Sequence, residues 1–247
     1  MNPLAWAGAV AIGLSLGLTG AGGSILTLPV LVYWAGVPPH EAVGVSLAVV
    51  GAAALAGALQ RLGKGEIHGR AAGIFSVAGM VGAAVGAHFT GWVTPTVLMV
   101  MFAALMVTVA VRMFLGREEA TEPCPECRPM RCALAGAGTG VLTGFLGVGG
   151  GFLLMPALMK FARLPVRMAV GTSLAVIAAN SAMGWVSHRA WEGSHGGLTL
   201  GFGGLAVMGT LVGKRLGGSL PAKRLKQGFA GMVLVTGSLV LWRSMGG

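Results

Sequence analysis

Apolar stretches long enough to cross a lipid bilayer follow one another along almost the whole chain. Hydrophobic residues make up 55% of the 247 residues and charged residues only 10%, whereas a soluble domain carries about 25% charged residues. The stretches lack the alternating pattern, about 10 residues per strand, that is typical of a membrane β-barrel. The sequence therefore predicts an all-α polytopic membrane protein that lies in the lipid bilayer.

The first half of the sequence is repeated in the second half. A shift of 127 positions places the glycines and the proline of GAGGSILTLP, residues 20–29, on those of GVGGGFLLMP, residues 147–156. The same shift places AVGVSLAV, residues 42–49, on AVGTSLAV, residues 169–176. We interpret the chain as a tandem duplication. Residues 1–115 form a first transmembrane repeat, residues 116–131 a cytoplasmic linker, and residues 132–247 a second transmembrane repeat.

Each repeat is predicted to contain a helical hairpin broken by its glycine cluster and then three ordinary transmembrane spans. The arms and spans of the first repeat are Pro3–Thr19, Ser24–Gly36, Glu41–Gln60, Gly69–Trp92 and Pro95–Leu115. Those of the second repeat are Cys132–Leu146, Phe152–Ala162, Arg167–His188, Gly196–Val212 and Lys226–Leu241.

Basic residues are concentrated in alternate loops. The loops at 61–70, 112–131, 160–167 and 214–226 hold 15 of the 17 Lys and Arg residues, and the positive-inside rule places such loops in the cytoplasm. The loop at 61–70 is basic, whereas its counterpart in the second repeat, at 189–195, is nearly bare. We therefore expect two repeats of inverted topology with both termini outside. This orientation accounts for the net charge of +10, so nucleic acid is not expected as a partner.

The glycine clusters lie where a break in a membrane helix leaves backbone groups without partners. Such a break is tolerated only where it is buried in protein or lines a cavity. The first amides of the helix that follows point into the break and carry partial positive charge. Two breaks related by inversion would face each other and favour an anion. The predicted substrate-binding residues at the breaks are Gly22, Gly23, Ser24, Gly149, Gly150 and Gly151. In the alternative interpretation, the glycines only let the hairpin arms pack closely.

The two copies of a glycine-rich segment ending in L-x-x-P, each followed by an A-V-G-x-S-L segment, resemble the sulfite exporter TauE/SafE family. The resemblance covers essentially the whole chain. It implies a secondary transporter of the bacterial or archaeal inner membrane that moves sulfite, sulfoacetate or a related sulfur-containing anion, often outward. The first repeat departs from the triple glycine because Ser24 stands where the second repeat has Gly151.

Four further polar residues within spans are candidate substrate ligands. Ser46 and Ser173 occupy equivalent positions in the two repeats, Thr172 precedes Ser173, and Asn180 lies later in the same span. The hydroxyls either donate to the anion or bond to their own helix backbone. Asn180 either binds substrate or forms an interhelical hydrogen bond. Gln60 and Arg61 lie at a span end and are interpreted as interfacial anchors.

Acidic residues are absent from the predicted spans. The chain has no Asp, and its seven Glu residues lie in loops or at span ends. Proton- and sodium-coupled carriers often use an intramembrane carboxylate. The sequence therefore predicts efflux driven by the membrane potential and not by a buried carboxylate.

Sequence motifs bear on the remaining function classes. No HExxH, GxSxG or Walker-type motif is present, so an enzyme is not expected, and no cofactor or metal is predicted. A passive anion pore remains an alternative, as does a sensor or scaffold whose CPEC linker, residues 124–127, binds a metal or partner. Cytoplasmic thiols are expected to be reduced. A homodimer is left open.

Overall fold

The structure is a computed structural model that describes residues 3–90, 95–115, 129–146, 151–187, 196–219 and 221–245. Within these residues the chain is helical, with no strand. The helices are α1 Pro3–Thr19, α2 Gly23–Pro29, α3 Pro39–Leu62, α4 Gly69–Thr90, α5 Pro95–Leu115, α6 Pro129–Leu146, α7 Gly151–Phe161, α8 Val166–Ser187, α9 Gly196–Ser219 and α10 Ala222–Met245. A π-helical turn, Val30–Trp34, continues α2.

Glycine and proline set most of the helix ends. α1 ends before Gly20, whose φ of +76° is a left-handed conformation that glycine adopts without steric cost. α3 begins at Pro39 and is followed by Gly63, and proline also begins α5 and α6. Proline suits a first helical position because its missing N–H would have no helical partner there.

Four helix segments are long and apolar enough to cross a membrane among the residues that the structure describes. They are Gly44–Leu62, Gly69–Gly86, Val166–Met183 and Gly196–Gly218. Shorter apolar segments occur in α1, in α2 with its π-helical turn, and in α5. The predicted multi-pass, all-helical class is therefore confirmed, while α5 and α10 are not among the four long segments.

Glycine contacts bring the helix backbones together in two pairs. In the α1–α9 pair, a methyl group placed on Gly209 would lie 2.7 Å from the carbonyl oxygen of Val10 and 2.9 Å from the amide nitrogen of Leu14. In the α4–α6 pair, a methyl group placed on Gly82 would approach the carbonyl oxygen of Ala137 and the amide nitrogen of Val141. Each residue of the second set lies 127 positions from one of the first, so the two pairs pack in the same way. Small residues allow this close approach between membrane helices.

Helices α3 and α8 cross at the centre of the bundle. A methyl group on Gly51 would lie 3.0 Å from Ser181 Cβ, and one on Gly57 would lie 3.0 Å from Leu174 Cδ1. Residue numbers rise along α3 from Gly51 to Gly57, while those of the facing α8 residues fall from Ser181 to Leu174. The two helices therefore run antiparallel. α5 likewise packs on α10. Each of these two pairs joins helices that hold the same place in the two predicted repeats.

Apolar side chains also cover the outer surface of the bundle. On α4 the exposed stripe is Val77, Val81 and Val85, one helical turn apart. α3 exposes Leu55, Leu59 and Leu62 in the same way. Stripes of this kind on long apolar helices are typical of surfaces that face lipid.

Candidate functional site

The first glycine cluster interrupts the helix between α1 and α2, and the Thr19 hydroxyl makes two hydrogen bonds at this break. Its hydroxyl donates to the Ser15 carbonyl oxygen at 2.7 Å and accepts from the Gly22 amide at 3.1 Å. The Ser24 hydroxyl donates to the Ala21 carbonyl oxygen at 2.8 Å. At the start of α2, the N-cap residue Gly22 provides no side-chain cap. The Gly22 amide is therefore already bonded, while no capping side chain covers the amides of the first turn of α2.

Gly22 and Gly23 are packed closely against the first hairpin arm. A methyl group on Gly22 would lie 2.5 Å from Ser15 Oγ. One on Gly23 would lie 2.5 Å from the Ile12 carbonyl oxygen and 2.7 Å from Leu16 Cγ. This geometry agrees with the close packing of hairpin arms given above as the alternative interpretation. Any contact of these two residues with a ligand must come from the backbone.

The second break is described from Gly151 onward, and the predicted site residues Gly149 and Gly150 lie outside the described residues. Gly151 begins α7 and is buried. A methyl group on it would lie 2.5 Å from Ser24 Oγ and 2.9 Å from Ile177 Cδ1 on α8. The starts of α2 and α7, one from each predicted repeat, therefore meet in the interior of the bundle.

Ser173 ties α8 to the first break. Its buried hydroxyl lies 2.9 Å from the Val170 carbonyl oxygen and 3.1 Å from that of Gly20. The structure therefore brings Ser173 to the break through backbone contacts. We name this set, Thr19–Ser24 with Gly151 and Ser173, the break region.

The other predicted ligands, Thr172, Ser46 and Asn180, lie outside the break region. The Thr172 hydroxyl accepts from the His68 amide at 3.0 Å and so fixes the loop between α3 and α4. Ser46, the counterpart of Ser173, is half-buried on α3. Asn180 faces α4, because a methyl group on Gly79 would lie 3.6 Å from its Nδ2. Among the described residues nothing bonds to its buried Oδ1.

A cavity of about 450 Å³ lies at one end of the bundle, between the ends of α3 and α9 and the starts of α8 and α10. Its lining includes five cationic side chains and, within the described chain, one carboxylate, that of Glu66. The cations are Arg61, Lys64, Arg167, Lys214 and Arg215. We name it the basic cavity. The sequence alone does not predict this cavity, although all five cations lie in the basic loops.

Arg61 is buried, which corrects its interpretation as an interfacial anchor. Only 5% of the residue is exposed. Its Nη2 donates to the Gly17 carbonyl oxygen on α1 at 2.7 Å, and its Nε lies 3.4 Å from Glu66 Oε2. The sequence signal for this arrangement is weak, because it consists only of Gly17 on a distant helix and Glu66, five positions after Arg61.

Other cations of the basic cavity also bond to backbone carbonyls. Lys214 Nζ donates to the Gln60 carbonyl oxygen, and Arg167 Nη2 donates to that of Gly218 at 3.2 Å. A carbonyl accepts a hydrogen bond but carries no net charge. These contacts therefore hold the cations in place without neutralising them.

Val170 connects the basic cavity to the break region. It lines the cavity, and its carbonyl oxygen accepts the Ser173 hydrogen bond. A methyl group on Gly20 would lie 2.8 Å from that same oxygen. One residue of α8 thus forms the wall between the two regions.

The linker cysteines Cys124 and Cys127 lie outside the described residues, as does most of the linker. Cys132, near the start of α6, is buried and disulfide-bonded. This differs from the expectation of reduced thiols. No group of three or more potential metal-ligating side chains, His, Cys, Asp or Glu, occurs within the described part of the chain.

Comparison with known proteins gives a family match along almost the whole chain. The model of the family described as "Sulfite exporter TauE/SafE" matches residues 5–240. The chain belongs to the sulfite exporter TauE/SafE family. No solved structure matches this TauE/SafE protein.

Curated relatives carry names that agree with this family. A "Probable membrane transporter protein" of Xylella fastidiosa is 35% identical, covering 94% of this chain and 92% of its own length. The probable membrane transporter protein YdhB of Bacillus subtilis is 29% identical, covering 67% of this chain and 70% of its own. A probable membrane transporter protein of Methanocaldococcus jannaschii is 28% identical, covering 72% and 68%. This TauE/SafE protein is therefore a multi-pass membrane transporter, which is consistent with the expectation that it is not an enzyme.

Proposed function

We propose that this protein is a secondary transporter that exports a small sulfur-containing anion, sulfite or an organosulfonate such as sulfoacetate, across the bacterial or archaeal inner membrane. The observation that carries the proposal is the meeting of Ser24 with Gly151. It joins the two interrupted segments, one from each repeat, in the buried interior. Interrupted helices that meet at a repeat interface are typical of substrate sites in secondary transporters.

The packing of the repeats supports an inverted arrangement. α3 and α8 occupy equivalent places and run antiparallel, with Gly51 against Ser181 and Gly57 against Leu174. The matched packing of the α1–α9 and α4–α6 pairs has the same symmetry. Two such repeats let one half rock against the other and open the break region alternately to each side.

The break region offers neutral donors to an anion. The first amides of α2 and α7 point into the break and carry partial positive charge. The Ser24 hydroxyl, now bonded to the Ala21 carbonyl oxygen, can rotate to donate to the anion. Neutral donors avoid the cost of burying a full positive charge in the membrane interior. Anion binding at the break region therefore needs no intramembrane lysine or arginine.

The position of the basic cavity supports the proposed direction of transport. Its lining comes from the loops after α3 and α9 and from the start of α8, and the positive-inside rule assigns such basic loops to the cytoplasm. Both termini are then outside. An interior-negative potential favours anion exit by roughly 2.3 kcal/mol per charge per 100 mV.

Sulfite flux in proteoliposomes tests the site. We expect Gly151→Ala to reduce saturable sulfite flux by about tenfold or more, because the new methyl group collides with Ser24 Oγ in a packed interior. The double variant Ser24→Gly with Gly151→Ala removes the oxygen that the methyl group strikes. Its flux should approach that of Ser24→Gly alone, which lacks only the hydroxyl donor. Gly204→Ala on α9 is the control, since nothing lies within 4 Å of its added methyl group.

Three results would contradict the proposal. The first is unchanged flux in Gly151→Ala with normal insertion in the membrane. The second is a double variant with much less flux than Ser24→Gly alone, which would mean that the collision with Ser24 does not explain the effect of Gly151→Ala. The third is flux that never saturates and shows no countertransport, which would identify a passive pore.

The driving force is tested by separating voltage from the pH gradient. With a potassium diffusion potential and no pH gradient, sulfite should leave the negative compartment faster as the potential rises. Flux that follows a pH gradient while the voltage is held at zero would contradict voltage-driven export.

A further inference from the structure

The basic cavity has more positive charge than its own carboxylate balances. Five cations line it against Glu66 alone among the described lining residues. Arg61, Arg167 and Lys214 donate to backbone carbonyls, so these hydrogen bonds leave the excess charge in place. Clefts lined by charge of one sign concentrate counter-ions. The cavity is therefore expected to attract anions from solution.

The size of the basic cavity indicates how an anion would be held. Its volume of about 450 Å³ lies within the range of small-molecule sites, roughly 300–1,000 Å³. Since one water occupies about 30 Å³ in the liquid, the cavity has room for an oxyanion together with part of its hydration shell. The break region is packed within van der Waals contact around Gly22, Gly23 and Gly151. An anion would keep water in the cavity and lose it on moving deeper.

Glu66 would compete with an incoming anion for Arg61. Its carboxylate lies 3.4 Å from Arg61 Nε, and 27% of its side chain is exposed. A partly exposed ion pair is weak, so an oxyanion can displace the carboxylate and bind the guanidinium, which suits oxyanions because of its fixed array of donors.

We propose that the basic cavity is a second anion site, separate from the break region, which binds a free hydrated oxyanion of the sulfite and sulfate type through Arg61, Lys64 and Arg215 and releases it past Val170. The entry role rests on the function proposed above, but binding to the cavity does not. The same chemistry would recognise a lipid phosphate. We assign the site to a free oxyanion because the cavity has room for a hydration shell.

Direct binding of sodium sulfate to the full-length protein tests the proposal. Isothermal titration is carried out in nanodiscs of phosphatidylcholine, with sodium chloride matching the ionic strength. We expect the pair Lys64→Gln and Arg215→Gln to weaken sulfate binding by about tenfold, because two cations near the anion are lost. We expect Glu66→Gln to tighten it by about threefold. The exposed Arg112 and Lys160 lie outside the cavity lining, and Arg112→Gln and Lys160→Gln should stay within about twofold of the original chain.

The outcomes separate this site from the transport function. Gly151→Ala should keep cavity binding even when flux is lost. Equal affinities in the original chain and the double cation variant, or weaker binding in Glu66→Gln, would overturn the proposal. Nanodiscs that contain phosphatidylglycerol distinguish the two sources of oxyanion. A sulfate affinity unchanged by this lipid supports the free anion, and loss of sulfate binding would assign the cavity to the lipid phosphate and overturn it.

Discussion

The break region and the basic cavity share a wall at Val170, but they are built to hold charge in different ways. The break region contains hydroxyls, amides and glycines at close contact, with no cation among its residues. The basic cavity holds five cations in an open volume of about 450 Å³. A charge is costly without water, so the cations other than Arg61 lie where water can reach them, and neutral donors lie where it cannot. The difference implies that an anion is attracted at one place and stripped of water at the other.

The largest expected effect comes from Arg61, which lines the basic cavity and bonds to α1. Arg61→Gln leaves Glu66 without its partner and the Gly17 carbonyl oxygen without a donor. Losing one partner of a buried pair costs about 3–5 kcal/mol, and the partial exposure of Glu66 reduces this to roughly 2 kcal/mol. Thermal unfolding of the purified protein should show a clear loss of stability.

Two further variants decide whether this loss comes from the ion pair. Lys64→Gln alters an exposed cation of the same cavity and should change stability by less than about 0.5 kcal/mol. Adding Glu66→Gln to Arg61→Gln should recover part of the loss, since no unpaired charge remains. A double variant that is less stable than Arg61→Gln alone would contradict the assigned role of the pair.

Asn180 tests whether a ligand site extends beyond the break region. Its Oδ1 has no partner among the described residues, so Asn180→Leu removes no hydrogen bond from this atom and should leave stability within about 1 kcal/mol. If the amide contacts substrate, flux should fall by about tenfold while the protein inserts and unfolds normally. Reduced stability with unchanged flux would instead indicate an interhelical contact.

The helices and the general class could be predicted from the sequence, whereas the basic cavity could not. Pro3–Thr19 and Pro95–Leu115 were predicted with the bounds that the structure gives, because glycine or proline interrupts an apolar run at those ends. The approach of Ser24 to Gly151 follows from duplication. The burial of Arg61 depends on Gly17, 44 positions away, and no local pattern relates the two. Likewise, spacing suggested ligand roles for Thr172 and Ser173, whose hydroxyls bond to backbone groups.

Salt should affect the two regions differently. Raising the ionic strength shortens the Debye length from about 10 Å at 0.1 M to 3 Å at 1 M. We expect the apparent KM for sulfite offered on the cavity side to rise about threefold to fivefold with little change in kcat, because screening acts on attraction to the cavity. The pair Lys64→Gln and Arg215→Gln should show a flatter salt dependence in the same flux assay. An equal dependence on salt would mean that the cavity does not attract the substrate.

The smallest expected effect compares two equivalent serines. The buried Ser173 hydroxyl joins α8 to the Gly20 carbonyl oxygen at the first break, and such hydrogen bonds in membrane proteins average about 0.6 kcal/mol. Ser173→Ala should therefore lower stability by about that amount and lower sulfite flux by about twofold, since the break shifts only slightly. Ser46→Ala, at the half-buried counterpart, should change less in both measurements. Equal losses would mean that the two serines act alike on the substrate, so that the two halves bind it symmetrically despite the structural difference at Ser24 and Gly151.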